Sequence, residues 1–219
     1  DEGAVVGFFS LEMSSDQLAA RVLADVSGVP SDKMRRGELT PKDYEAIRDA
    51  AETMEGIPLF IDDTGGISIS QLAARARRLQ RTTGLDLLII DYLQLITSSG
   101  GRKNDGRVQE VTEITKSLKA LAKELAIPII ALSQLSRAVE QRQDKRPQLS
   151  DLRESGSIEQ DADIVAFLYR DEVYNEHTER PNQADVIVAK HRNGPTGTVA
   201  LYFRKELTQF SNLSKTDVD

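Results

Sequence analysis

Leu87-Leu88-Ile89-Ile90-Asp91 decides how the rest of this chain is read. A run of aliphatic residues without polar alternation predicts a strand buried on both faces, as in a parallel sheet covered by helices. The strand is predicted over Leu85–Ile90 and ends at Asp91. Open α/β sheets bind ligands beyond the carboxyl ends of their strands, which makes Asp91 a candidate site residue. A carboxylate there can hold Mg²⁺, usually through water, beside nucleotide phosphates. It can equally cap the turn that follows a buried strand.

Outward from this strand the pattern alternates. Short apolar runs at Ala4–Phe9, Pro58–Asp62 and Ile127–Leu132 predict further strands. Between them, Ser14 and Gln17 form a capping pattern ahead of Leu18, Ala19, Val22 and Leu23 at helical spacing. Gly28-Val29-Pro30-Ser31 breaks that helix, and Thr40-Pro41 starts another with Tyr44, Ile47, Ala51 and Met54 as its apolar face. Ser70–Gln80 reads as a helix with a basic face of Arg75, Arg77 and Arg78. Val108–Leu125 reads as a long helix burying Val111, Ile114, Leu118 and Leu121.

Toward the end, Ala162–Tyr169 and Ala184–Lys190 are predicted strands, and Thr198–Phe203 pairs with the latter by a hairpin after Asn193-Gly194-Pro195. The segments 98–106 and 137–151 are polar and expected to be mobile. The expected fold is α/β: a mainly parallel β-sheet flanked by helices, with an antiparallel hairpin at the C-terminal edge. One domain over 1–207 and a disordered tail over 208–219 are expected.

Composition excludes several classes. The 219 residues contain no cysteine, which removes disulfides, thiolate metal sites and a cysteine nucleophile, and two histidines are too few for a histidine-rich metal centre. The apolar runs are too short to cross a bilayer and no leader opens the chain, so a cytoplasmic protein without a membrane partner is expected. A net charge of −7 argues against a surface coated for nucleic acid but leaves room for local contacts.

Four strand ends deliver polar residues to one edge: Ser10-Leu11-Glu12, Asp91, Ser133-Gln134 and Lys190-His191-Arg192. Glu12 could deprotonate a water attacking a γ-phosphate, or simply favour a helix start. Gln134 could hydrogen-bond that phosphate, or cap a turn. On an extended chain Lys190 and Arg192 point the same way, and two cations could meet charge developing on a phosphoryl group. Alternatively they decorate a solvated hairpin. His191 faces away and reads as structural.

Five blocks occur in order: Ser10–Ser14 (SLEMS), Ile90–Leu95 (IDYLQL), Leu132–Arg137 (LSQLSR), Asp151–Asp163 (DLRESGSIEQDAD) and Lys190–Gly197 (KHRNGPTG). Together they resemble the C-terminal RecA-like domain of DnaB-family replicative helicases, over almost the whole chain. The resemblance implies a homohexameric ring using ATP and Mg²⁺ to move 5′-to-3′ on single-stranded DNA, with a helicase loader and a primase as partners. It implies Glu12 as catalytic glutamate, Asp91 as magnesium ligand and Gln134 as the γ-phosphate sensor. Arg192 would be an arginine finger and Lys190 its companion, both reaching ATP on the neighbouring subunit. Arg153, Glu154 and Gly156 would line the channel and grip DNA through backbone contacts.

One family feature is missing. No Gly-x-x-x-x-Gly-Lys-Ser/Thr phosphate loop occurs in 1–219, and the resemblance places it before Asp1. Two other readings use the same residues: another RecA-superfamily ATPase such as a recombinase, or a non-catalytic module that docks a loader or primase.

Overall fold

The computed structural model describes residues 3–98, 106–152 and 156–213. In chain order the elements are β1 (Val6–Ser10), α1 (Ser15–Ser27), α2 (Ser31–Arg36), α3 (Pro41–Met54), β2 (Leu59–Asp62), α4 (Ile69–Thr82) and β3 (Leu87–Asp91). They continue with α5 (Arg107–Leu125), β4 (Ile129–Ala131), α6 (Gly156–Asp161), β5 (Ile164–Tyr169), β6 (Gln183–His191), β7 (Gly197–Arg204) and β8 (Gln209–Asn212). They form two compact units, each with one four-stranded sheet.

The first unit comprises Asp1–Ser15, Ile57–Glu140 and Leu149–Ala162. Its sheet is wholly parallel in the order β2-β1-β3-β4. Leu88 and Ile90 of β3 are fully buried, as the unbroken aliphatic run requires. Helix α4 adds Ile69, Leu72 and Ala76 to this core, and α5 adds Val111, Ile114, Leu118 and Leu121. Each of these Leu, Ile and Val side chains contributes about 1.5–3 kcal/mol when taken from water. Gly7 lets β1 approach its neighbours closely, since a Cβ there would lie 3.2 Å from side-chain carbons of Leu79, Leu85 and Leu88.

Helix α4 starts at a capping box that the sequence reading does not contain: Ser68 Oγ accepts from Gln71 N while Gln71 reaches back to Ser68 N. Its arginines are drawn into ion pairs, Arg75 with Asp62 at 2.6 Å and Arg77 with Glu124 at 2.7 Å, so the basic face is largely neutralised within the chain. The block Asp151–Asp163, for which no helix was expected, contains α6. Ile158 joins the core, and Thr115 of α5 donates to Asp161 Oδ2 at 2.6 Å.

The second unit comprises Asp16–Gly56, Gln141–Gln148 and Asp163–Asp219. Its sheet is wholly antiparallel in the order β5-β6-β7-β8. The expected hairpin is therefore the middle pair of a four-stranded sheet. Residues 209–212, expected in the tail, form β8, where Phe210 packs on Phe203 with ring centroids 4.8 Å apart. Residues 214–219 lie outside the described residues.

Thr40 caps α3 as expected, with a complete box to Asp43. The covered stripe differs: Ala46, Ile47, Ala50 and Met54 are shielded, whereas Tyr44 and Ala51 are exposed. Arg146, within the segment 137–151 that was expected to be mobile, makes specific side-chain contacts in this unit. Arg146 donates to Asp185 Oδ2 at 2.9 Å and stacks 5.0 Å over the Tyr169 ring, while Arg180 grips the same carboxylate at 2.7 and 3.0 Å. Asp185 is 3% exposed, and the Arg180 hydrogen bonds, outweighing burial, hold its carboxyl below the usual range.

Candidate active site

Parallel pairing in register brings the ends of β1 and β3 together. Ser10 lies opposite Asp91, and Leu11 N donates to Asp91 O at 2.8 Å, so Glu12 emerges beside the strand end that carries Asp91. Ser10 is buried, and its hydroxyl donates to Met13 O at 2.7 Å, closing the turn on which Glu12 sits. Asp63, at the exit of β2, accepts from Ser15 N at 2.8 Å and orders the start of α1; hydrogen bonds from Ser15 hold the Asp63 carboxyl below its usual range.

On the other side of β3, Leu132 N donates to Ile90 O at 2.9 Å and Leu93 N donates to Leu132 O at 2.9 Å. This places Ser133-Gln134 at the exit of β4. Glu12, Asp91 and Gln134 thus stand at the carboxyl ends of three adjacent strands, Glu12 and Gln134 exposed and Asp91 half-buried.

A residue that sequence reasoning passed over joins two of these ends. Gln94 Oε1 accepts from Gln134 N at 3.2 Å and its Nε2 donates to Ser133 Oγ at 2.9 Å. The only sequence signal was an amide within the apolar stretch Leu93–Ile96, and its partner is 40 residues away.

Lys190 and Arg192 belong to the second unit. Lys190 is half-buried on β6 opposite Val165, next to a bulge at Val165/Ala166. Arg192 follows the strand; its N–H donates to Asp163 O at 2.8 Å and its Nε lies 3.1 Å from Asp163 Oδ1. His191 lies against the turn, with Nδ1 3.3 Å from Pro195 O and its ring so near Gly194 that a Cβ there would sit 2.4 Å from Cε1. Its structural reading fits that packing. Gly156 is the exposed first residue of α6, and Arg153 and Glu154 lie outside the described residues.

A half-buried carboxylate at a strand end fits Mg²⁺, which takes one or two protein carboxylates and completes its shell with water and phosphate oxygens. Among the described residues no group of three or more His, Asp or Glu forms a cage of the kind Ca²⁺ prefers.

The family model described as the DnaB-like helicase C terminal domain matches residues 1–212. The chain belongs to this family. The DnaB-like domain is 54% identical over 210 residues to the replicative DNA helicase DnaB of Geobacillus stearothermophilus, covering 96% of this chain and 46% of that protein. It is 53% identical to the replicative DNA helicase DnaC of Bacillus subtilis, with the same coverage. The chain therefore spans about half the length of the curated relatives it matches.

Among solved structures, one described as an ATPase domain superposes with a TM-score of 0.90 at 42% identity, covering 96% of this chain and 75% of that one. A DnaB-like replicative helicase studied with primase superposes with the same TM-score and identity, covering 96% and 51%. The α/β fold expected from the alternating pattern is thus that of DnaB-like ATPase domains. Among the described residues of this DnaB-like domain, no helix is long and apolar enough to cross a membrane.

Proposed function

We propose that this chain is the motor part of a replicative DNA helicase, in which ATP hydrolysis at the interfaces of a homohexameric ring drives 5′-to-3′ movement on single-stranded DNA and separates the duplex. The observation that supports the reading is that Glu12, Asp91 and Gln134 stand at or just after the ends of three adjacent parallel strands. A docking module has no need of that set, and membership of the DnaB-like family weighs against a recombinase.

Each residue then has a task. Glu12, exposed on its turn, accepts the proton of the water that attacks the γ-phosphate. Asp91 would hold Mg²⁺ through water, and the ion bound there would spread the charge of the phosphate oxygens. Gln134 hydrogen-bonds the γ-phosphate and signals its presence to the DNA-gripping segment Arg153, Glu154 and Gly156. Arg192, with Lys190, acts on ATP held by the next copy, stabilising charge on the transferred phosphoryl group. The Asp163 carboxylate beside Arg192 keeps the finger oriented until that phosphate competes for it.

The phosphate-loop pattern is absent from the 219 residues, so the chain by itself lacks the amides and lysine that cradle β- and γ-phosphates. Single-stranded DNA, a loader and a primase are the partners, and the cytoplasm is the compartment. The deciding experiment is Glu12→Gln in the full-length protein. Nucleotide binding should persist while kcat for ATP falls about 100-fold or more. Unchanged turnover would remove Glu12 from catalysis and overturn this reading of the site.

A further inference from the structure

After Asp91 the chain makes a single 3-10 turn at Leu93–Leu95. That turn is fixed from two sides. Leu93 is buried and its N–H is bonded to Leu132 O, while Arg107 donates to Gln94 O at 2.6 Å. Arg107 is itself paired with Glu110, whose carboxylate also accepts from Ser98 N at 3.2 Å. With its backbone held, the Gln94 side chain reaches the exit of β4 and uses both ends of its amide on consecutive residues, Ser133 and Gln134.

This arrangement has one orientation. Turning the amide over would set its NH₂ against the Gln134 N–H, donor against donor, and the main-chain N–H cannot rotate away as a hydroxyl can. Beyond the backbone bonds at Leu132, the strand ends that hold Asp91 and Gln134 are therefore tied together by one half-buried side chain. An amide does this without adding charge beside the carboxylates of Glu12 and Asp91.

We propose that Gln94 is a positioning residue for nucleotide hydrolysis: its amide clamps Ser133-Gln134 to the strand that ends in Asp91, setting where the Gln134 side chain meets the γ-phosphate. The inference rests on the reading of Gln134 as γ-phosphate sensor. Gln94 itself touches no reacting atom. Its loss should misplace the sensor while leaving nucleotide binding intact, a signature in kcat rather than KM.

The test uses full-length protein with DNA-stimulated ATP turnover as readout. Gln94→Met keeps the length of the side chain and removes both hydrogen bonds; kcat should fall about tenfold with KM for ATP changed by less than about twofold. Gln94→Glu should recover part of the turnover lost in Gln94→Met, because a carboxylate still accepts from the Gln134 N–H and from the Ser133 hydroxyl, while its added charge keeps it below wild type. If the Gln94→Met protein does not fold, Ser133→Ala removes half the clamp from the other side and should lower kcat about threefold. Gln134→Ala is the reference. Should it leave turnover unchanged, the sensor reading falls and this proposal with it. Should Gln134→Ala lower turnover while Gln94→Met does not, or should the two losses multiply in the double variant, the sensor reading survives and the clamp is refuted.

Discussion

Glu172 receives hydrogen bonds from Arg170 at 2.5 Å and from Asn182 N at 3.1 Å, and Lys205 lies 2.9 Å away. Burial raises the pKa of its carboxyl, but these donors outweigh burial and hold it at about 2, against an ordinary value of 4.5. A depressed carboxylate stabilises the fold above its unfolded pKa and loses that contribution as pH falls through the folded one. Stability should therefore decline between pH 4.5 and about 2, and Glu172→Gln should flatten that limb in melting curves taken across the same range. A curve of unchanged shape would assign the acid sensitivity elsewhere. Arg146→Ala removes one of two arginines from the buried Asp185 and should cost about 2 kcal/mol in urea unfolding, Arg180 keeping the carboxylate paired. At this scale the sequence was partly legible. Glu12, Asp91 and Gln134 stand out because each follows an apolar run, whereas Gln94 and Asp185 act through partners 40 and 39 residues away, and spacing carries no trace of that.

Elements were legible where periodicity is long or burial two-sided. The buried face of α5 is the one its heptad-like spacing predicts, and β3 follows from four aliphatic residues in a row. Short polar elements were not. Gly156–Asp161 is helical because Ile158 enters the core and Asp161 meets Thr115, both tertiary causes. Residues 209–212 become a strand through pairing with β7 and the Phe203–Phe210 contact. On α3, Tyr44 looked like core but is exposed, since the smaller Ala46 and Ala50 lie on the covered side. The Ser68 capping box supports α4 at the edge of the first unit's core. Ser68→Ala should cost about 1 kcal/mol in urea unfolding, with no change in slope; a neutral substitution would mean that packing alone fixes the helix start.

At the scale of the whole molecule the chain comprises two compact units, one built on a parallel sheet and the other on an antiparallel one. The α/β class survives because each sheet was foreshadowed, the parallel one by alternation with helices and the antiparallel one by the Asn193-Gly194-Pro195 turn. The proposed chemistry divides along the same line, with Glu12, Asp91 and Gln134 in the first unit and Lys190 and Arg192 in the second. The 219-residue chain alone should show ATP turnover at background, and DNA-stimulated hydrolysis by it would contradict the need for a phosphate loop. The central claim is that a catalytic centre combines Glu12 of one copy with Arg192 of the next. Full-length Glu12→Gln and Arg192→Ala proteins, each inactive alone, should regain about a quarter of wild-type turnover when mixed in equal amounts, because random assembly pairs an intact Glu12 with an intact Arg192 at about one interface in four. A mixture that assembles and binds ATP yet stays inactive would contradict it.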